Sequence, residues 1–125
     1  MHQHKLVHRD VKPENFLIDS NGIVRLCDFG WCRDFEEGDR STFCGTYEYM
    51  APEILKDQPY SYGIDVWALG ILLYELTHGY SPFRATTQEG HDEIMRNIVK
   101  YKFKIEKNLS PTLEDLILSK YSIKI

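Results

Sequence analysis

A helix with no polar face is predicted near the middle of this chain, from about Gly63 to His78. Apolar side chains fall on almost every side of this helix, whereas a helix on the surface of a domain carries polar side chains along one side. Gly79 can end the helix, and Pro82 prevents its continuation. We therefore expect this helix at the centre of the domain, with the remaining elements packed around it.

A β-hairpin is predicted upstream of that helix. The apolar runs Phe16–Ile18 and 24–27 are joined by residues 19–22, whose Asn-Gly pair adopts positive φ at low cost. Residues 1–6 have the pattern of the end of a helix. The hairpin would bring the residues that flank its two strands to the same edge.

Two further helices are predicted in the second half of the chain. One begins near Thr86, where the sequence Thr-Thr-Gln-Glu has the pattern of a capping box and apolar residues follow at helical spacing. The other opens at Ser110, with proline at the first helical position, and carries Leu113, Leu116 and Ile117 on one stripe. The expected fold class is α+β, mainly α-helical, with one small hairpin.

Length and composition fit a single globular domain over residues 1–125. The chain has 125 residues, of which 42% are hydrophobic, and a formal net charge of −4 at pH 7. Without a basic surface, nucleic acid is not an expected partner. The longest uncharged apolar run, residues 66–74, is too short to cross a bilayer, so no membrane association is expected. Three irregularly spaced cysteines fit neither a disulfide framework nor a zinc site, and we expect a cytoplasmic or nuclear protein.

The octet His-Arg-Asp-Val-Lys-Pro-Glu-Asn at residues 8–15 is the segment with the most specific chemistry. A carboxylate (Asp10), an ammonium (Lys12) and a carboxamide (Asn15) lie two and three residues apart, and Pro13 disfavours a regular helix. Transfer of a phosphoryl group requires a carboxylate to orient a hydroxyl, a cation on the moving phosphate and oxygen ligands for Mg²⁺. The octet supplies a group for each of these tasks.

Two more motifs follow the octet in the order and at the spacing that protein kinases show. Asp-Phe-Gly at residues 28–30 comes directly after an apolar run, and Ala-Pro-Glu at residues 51–53 closes a polar segment. Together with the octet, these motifs make the chain similar to protein kinases. Lys12, two residues after Asp10, resembles the lysine found at this position in the serine/threonine branch of the family. The sequence has no G-x-G-x-x-G loop and no preceding strand lysine, which in that family hold ATP from above. The resemblance implies a partial kinase large lobe, with the small lobe absent.

A role for each polar residue of the octet follows from the resemblance. Asp10 would orient the substrate hydroxyl, and Lys12 would contact the transferred phosphate of ATP. Asn15 and Asp28 would hold Mg²⁺ on the phosphate oxygens. Thr46 resembles the threonine that hydrogen-bonds both Asp10 and Lys12. Without these neighbours, Asp10 would be interpreted as a solvated loop residue and Asn15 as a turn residue.

An activation site is implied by two hydroxyl side chains. Thr42 lies where kinases of this type carry an activating phosphothreonine, and Ser41 is the second candidate. A phosphate on either residue would dock on the guanidinium of Arg9, which directly precedes Asp10. The alternative is that both are ordinary loop hydroxyls.

Three residues resemble structural supports of the kinase large lobe. His8 is similar to the structural histidine of the catalytic loop. Asp65 is similar to the aspartate that holds the backbone of that loop, although an acid at a helix N-terminus is also common. Glu53 resembles the glutamate that pairs with a distant arginine, and no arginine follows it in the last part of this sequence. We therefore expect the sequence to be a fragment.

Two acidic residues resemble the groups with which some kinases bind a substrate arginine. Glu14 and Glu75 match these positions, and Arg40 lies two residues before Thr42, as an arginine would in such a substrate. The resemblance implies protein substrates with basic residues upstream of Ser or Thr. The alternative is that both glutamates are ordinary solvated residues.

Within the family, the sequence is most similar to the Aurora group. The resemblance rests on Asp-Phe-Gly-Trp at residues 28–31, Ser-Thr-Phe-Cys-Gly-Thr at 41–46 and Ser-Pro-Phe at 81–83, whereas residues 47–51 have the commoner serine/threonine form. It implies ATP-dependent phosphorylation of protein Ser or Thr and a possible activator protein as a partner. The alternative function is a non-catalytic binding module or pseudokinase fragment. We expect little or no activity from the 125-residue chain alone.

Overall fold

A computed structural model describes residues 1–34, 46–105 and 109–121 of the chain. The strands in these ranges are β1 (Leu6–Val7), β2 (Phe16–Ile18), β3 (Val24–Leu26) and β4 (Arg33–Asp34). The helices are α1 (Pro52–Leu55), α2 (Gly63–His78), α3 (His91–Val99) and α4 (Pro111–Tyr121). Short 3₁₀ helices lie at His2–His4, Pro13–Asn15 and Tyr47–Tyr49. The predicted fold class, α+β and mainly α-helical, is confirmed.

Helix α2 is the buried centre of the fold, with the bounds that the sequence predicts. Ile64, Ile71 and Tyr74 are among its fully or almost fully buried side chains. Gly79 ends the helix in the left-handed conformation, at a φ of 84°, and its N–H donates to the carbonyl of Glu75 at 2.7 Å. This is a conformation in which glycine has no steric penalty.

Helix α4 packs closely on α2 because Gly70 has no side chain. A Cβ atom at this position would lie 2.7 Å from the Cβ of Lys120, so no larger residue fits without a backbone shift. Beside this contact, Trp67 stacks on Phe83 with ring centroids 5.6 Å apart, and the edge of Tyr121 meets Trp67 at 5.1 Å. These rings join α2, α4 and the loop that follows α2 into one core.

The hairpin β2–β3 has the predicted antiparallel pairing, in which Phe16 faces Leu26 and Ile18 faces Val24. Its loop is organised by Asp19, whose side chain accepts hydrogen bonds from the backbone N–H groups of residues 21 and 23 and from Arg25. The bond from residue 23 is the main reason why the pKa of Asp19 is lowered. The hairpin therefore closes through a side chain that the Asn-Gly signal alone does not reveal.

Two predictions about local structure are wrong. Residues 1–6 were expected as the end of a helix, but only His2–His4 form a short 3₁₀ helix, and β1 then pairs antiparallel with β4. Helix α3 begins at His91 rather than near Thr86. The physical reason is that Thr86 and Thr87 donate hydrogen bonds to Glu93 instead of capping a helix of their own.

Helix α4 begins as predicted, with the hydroxyl of Ser110 accepting a hydrogen bond from the N–H of Leu113 at 3.3 Å. Only part of its expected apolar stripe is buried in the core, because Ile117 is fully buried whereas Leu116 is exposed. Within the described ranges, no helix combines the length and the apolar character needed to cross a membrane.

Candidate active site

The backbone of the predicted catalytic loop is held by Asp65, at the start of α2. One oxygen of this carboxylate accepts the N–H of His8 and the other accepts the N–H of Arg9, both at 2.9 Å. The ring of His2 also lies 2.8 Å from Asp65. Because Asp65 is only 4% exposed, these charge-assisted hydrogen bonds fix the loop firmly on the central helix. Arg9 is held in the left-handed region, at a φ of 69°.

His8 links the catalytic loop to the strand β3 and the segment behind it. Its ring is fully buried, and Nε2 lies 3.1 Å from the carbonyl of Cys27 while Nδ1 lies 3.4 Å from the N–H of Asp10. A carbonyl can only accept and an N–H can only donate, so this pair of contacts requires the tautomer with its proton on Nε2. The edge of the ring also contacts Phe29, with centroids 5.2 Å apart.

The carboxylate of Asp10 is surrounded by the other polar residues of the octet. Its Oδ2 atom lies 2.9 Å from Nζ of Lys12 and accepts a hydrogen bond from the amide of Asn15 at 3.0 Å. The same amide also donates to the backbone carbonyl of Asp10 at 2.7 Å. Asp10 and Asn15 are 6% and 5% exposed, so the pair is almost fully enclosed. Because both contacts to the carboxylate use Oδ2, the Oδ1 atom takes no hydrogen bond from the described residues.

Thr46 contacts Lys12 but not Asp10, so one of its two predicted hydrogen bonds is wrong. The Nζ atom of Lys12 donates to the hydroxyl of Thr46 at 3.3 Å while also pairing with Asp10. The ammonium therefore stands between the two side chains. Asp10 and Thr46 still line the same small cavity, of about 20 Å³, which also touches Asp65.

The two predicted metal ligands flank the open end of the hairpin. The N–H of Cys27 donates to the carbonyl of Asn15 at 2.8 Å, which extends the pairing of β2 with β3 by one residue on each side. Asp28 comes next, exposed and in the left-handed region at a φ of 57°, and accepts a hydrogen bond from the N–H of Gly30 at 3.2 Å. A non-glycine residue in this conformation is uncommon and frequently marks a functional position.

This donor set fits Mg²⁺ better than a transition metal. Asn15 and Asp28 offer an amide oxygen and a carboxylate, and Mg²⁺ prefers such hard oxygens while keeping several positions for water and phosphate. Among the described residues, no three His, Cys, Asp or Glu side chains cluster as a metal site. A two-ligand oxygen site therefore agrees with the chemistry of the residues present.

The predicted activation site is only partly within the described residues. The Nε atom of Arg9 donates to the carbonyl of Trp31 at 2.7 Å, which ties the catalytic loop to the segment after Gly30. Ser41 and Thr42 lie outside the described residues.

The glutamates of the predicted arginine site, Glu14 and Glu75, act electrostatically on a tyrosine, Tyr49, that the sequence interpretation missed. The hydroxyl of Tyr49 donates to Glu75. Burial raises the pKa of Tyr49 strongly, and the hydrogen bond and charge of Glu75 and the charges of Glu14 and Glu48 raise it further. The charges of all three carboxylates therefore act on the hydroxyl group of Tyr49. Nothing local in the sequence links Tyr49 to Glu75, because the two are 26 residues apart.

Glu53, the third predicted support, has no salt-bridge partner among the described residues. Burial raises the pKa of its carboxyl, and the nearby charge of Lys56 opposes this only in part. Burial and the charge of Glu53 also raise the pKa of Tyr101. Glu53 is thus partly buried and, among the described residues, its side chain forms no hydrogen bond with the catalytic loop that His8 and Asp65 hold.

The comparisons with known proteins all identify the same family. The family model for the protein kinase domain matches residues 1–123. The serine/threonine-protein kinase Sgk1 of Bos taurus is 44% identical over 120 residues, which cover 94% of this chain and 28% of that protein. The Aurora kinase of Saccharomyces cerevisiae is 41% identical over 119 residues, which cover 94% of this chain and 32% of that protein. The chain thus spans about a third or less of the length of these relatives, and their similar identities do not separate the Aurora group from Sgk1. By the extent of these matches, the chain belongs to the protein kinase domain family, and it resembles that family's serine/threonine members.

Proposed function

We propose that this chain is part of a serine/threonine protein kinase that transfers the γ-phosphate of ATP to hydroxyl groups of proteins with the help of Mg²⁺. The observation that carries the proposal is the enclosed group around Asp10, in which Lys12 and Asn15 both contact Oδ2. This arrangement leaves Oδ1 for a substrate hydroxyl. A buried carboxylate fixed at one oxygen is suited to orient a hydroxyl and to accept its proton at the other.

Lys12 supplies positive charge beside the reacting hydroxyl. Its ammonium is held by Asp10 at 2.9 Å and by Thr46 at 3.3 Å, so it is oriented before a substrate binds. A preorganised cation stabilises negative charge that develops on a transferred phosphoryl group. Lys12 and Thr46 therefore act with Asp10 as the catalytic residues of the proposal.

Asn15 and Asp28 are the proposed ligands of Mg²⁺ and, through it, of ATP. Mg²⁺ bound to ATP neutralises the phosphate oxygens and makes the terminal phosphorus open to attack. The amide nitrogen of Asn15 is committed to Asp10, which turns the amide so that its oxygen is the atom free to bind a metal. Asp28 contributes the carboxylate from the other strand of the hairpin.

His8 and Asp65 are the proposed structural supports of the catalytic loop, whereas Glu53, at the position of a third support, has no salt-bridge partner among the described residues through which to act. The first two hold the catalytic loop through the contacts with Cys27, Arg9 and His8 described above. The proposed activation site consists of Thr42 or Ser41, with Arg9 as the group that docks the phosphate. We further propose a cytoplasmic or nuclear location and an activator protein as partner.

The proposed substrates are proteins with basic residues upstream of the accepted Ser or Thr, as in an Aurora-like kinase. Support comes from the negative charges of Glu14, Glu48 and Glu75, all of which act on Tyr49. A substrate guanidinium placed among these carboxylates would gain charge-assisted hydrogen bonds. Glu14 and Glu75 are the two residues proposed to bind it.

A chimaeric kinase tests this proposal. Residues 1–123 of this chain replace the matching segment of the Saccharomyces cerevisiae Aurora kinase, and transfer of labelled phosphate from ATP to an arginine-containing Ser/Thr peptide is measured. We expect Mg²⁺-dependent labelling of Ser or Thr. Asp28→Asn should raise the Mg²⁺ concentration needed for half-maximal rate, whereas the control Asp92→Asn, at an exposed position, should not. A folded chimaera that binds ATP and transfers nothing would instead support a non-catalytic binding module.

A further inference from the structure

A second cavity lies away from the catalytic loop, between the end of α2 and the segment that follows α3. Its volume is about 290 Å³, just below the range of about 300–1,000 Å³ that is typical of ligand pockets. Tyr74, Tyr80 and Phe103 form an aromatic wall, in which Phe103 and Tyr80 both present edges to Tyr74. The hydroxyl of Tyr74 donates a hydrogen bond to the carbonyl of Lys104 at 2.6 Å, which holds the segment after α3 against α2.

Three cationic side chains line this cavity, although the chain as a whole carries a net charge of −4. The guanidinium of Arg84 lies 3.7 Å from the ring centre of Tyr80, which holds its plane against the aromatic wall. Lys102 and Lys104 are exposed, and neither ammonium forms an ion pair with a carboxylate of the described residues. The cavity therefore combines apolar walls with positive charge at its rim.

The carboxylate that lines the cavity, Glu93, does not pair with Lys102 or Lys104. Glu93 accepts four hydrogen bonds, from the N–H and the hydroxyl of Thr86 at 3.0 and 2.8 Å and from those of Thr87 at 2.8 and 2.6 Å. Its oxygens are directed to Thr86 and Thr87 in the loop before α3, and they hold this loop in place. The ammonium groups of Lys102 and Lys104 are thus left for a ligand of opposite charge.

We propose that this cavity docks an acidic peptide segment of a partner protein. One apolar side chain of the segment packs against Tyr80 and Phe103, and neighbouring carboxylates meet Lys102 and Lys104. The arginine-binding glutamates of the proposed function have the opposite charge, so this surface is suited to a different ligand from the basic part of a substrate. Burial of an apolar anchor gives affinity, while the charges select an acidic sequence.

The test uses fluorescence anisotropy with the 125-residue chain. The probe is a fluorescein-labelled peptide, Gly-Glu-Leu-Glu-Glu-Gly, and the matched probe has Gln in place of each Glu. We expect the Glu peptide to bind, with an affinity that falls as NaCl is added, and the Gln peptide to bind at least about tenfold more weakly.

A matched pair of variants locates the binding. Lys102→Gln with Lys104→Gln removes two charges from the cavity, and Lys5→Gln with Lys100→Gln removes two from exposed positions that do not line it. The first pair should weaken binding of the Glu peptide by about tenfold and the control pair by less than about twofold.

Three results would overturn the proposal: no binding of the Glu peptide, equal binding of the Gln peptide, or equal weakening by both pairs of variants. Circular dichroism checks that each variant is folded. If the cavity variant is unfolded, Lys102→Gln alone serves in its place, and it must weaken binding of the Glu peptide more than Lys100→Gln alone does for the proposal to stand.

Discussion

The Oδ1 atom of Asp65 accepts a hydrogen bond from the backbone N–H of Arg9 at 2.9 Å, although the two residues are 56 positions apart in the sequence. Oδ2 of the same carboxylate accepts the N–H of His8. The start of the central helix thereby sets the backbone conformation directly before Asp10. The position of the proposed catalytic carboxylate is thus tied to the core of the domain.

Replacement of this buried acceptor should destabilise the fold. In Asp65→Asn, one of the two oxygens becomes an NH₂ group that faces a backbone donor, so one buried N–H loses its partner. We expect a loss of about 1–3 kcal/mol in the free energy of unfolding, measured by urea denaturation. Asp57→Asn, at an exposed position, is the control. Equal stability of the two variants would show that Asp65 does not hold the loop.

Glu53 should make the fold less stable at neutral pH than it is in acid. Burial raises the pKa of this carboxyl in the folded state, so the folded state binds the proton more tightly than the unfolded state does. The charged form therefore opposes folding above the raised pKa, and this effect disappears below the unfolded-state pKa of about 4.3. Glu53→Gln should raise Tm at pH 7, with a gain that declines as the pH falls to 4. The exposed control Glu114→Gln should show no such gain, and a lower Tm for Glu53→Gln at pH 7 would reveal a favourable partner of the carboxylate.

Glu93 should show the opposite dependence on pH. Hydrogen bonds, of which that from the side chain of Thr87 is the largest cause, lower its pKa to about 2. A lowered folded-state pKa stabilises the fold above the unfolded-state pKa of about 4.3, and this contribution is lost as the pH falls towards 2. Thr87→Ala should therefore destabilise at pH 7 and less so in acid, and NMR titration should show a higher pKa for Glu93. Thr112→Ala, exposed on α4, should leave that pKa unchanged; an unchanged pKa in Thr87→Ala would contradict the account.

Tyr49 is predicted to position Glu75 for a substrate arginine. In Tyr49→Phe the hydrogen bond to Glu75 is lost while the ring remains, so the carboxylate is less well oriented. In the chimaeric kinase we expect a higher KM for the arginine-containing peptide, with kcat and the KM for ATP nearly unchanged. The control is Tyr47→Phe, two residues away and exposed. A fall in kcat without a change in peptide KM would assign Tyr49 a different role.

Regular elements with strong local signals could be predicted from the sequence. Helix α2 followed from its uninterrupted apolar character and the hairpin from its Asn-Gly turn. The start of α3 could not be predicted in this way, because Thr86 and Thr87 serve the side chain of Glu93 rather than a helix end. Strands β1 and β4 have only two residues each, too few for any periodic pattern to appear.

The site was partly predictable for a similar reason. Asp10, Lys12 and Asn15 are close in sequence, and the structure brings them together around one carboxylate. The contact of Tyr49 with Glu75 and those of His8 with Cys27 and Asp65 depend on the folded chain, and two of these three contacts involve a backbone atom, which has no sequence signal. The resemblance to kinases indicated a support role for Asp65, but local patterns alone did not.

The most direct test of the central claim is the kcat of the chimaeric kinase with Asp10→Asn. An amide at this position cannot accept the proton of the substrate hydroxyl, so we expect kcat to fall by about 10²–10⁴-fold while the KM for ATP stays the same. The control Asp57→Asn should retain full activity. If Asp10→Asn keeps the kcat of the parent chimaera, the carboxylate enclosed by Lys12 and Asn15 is not the group that orients the substrate, and the proposed catalytic site is wrong.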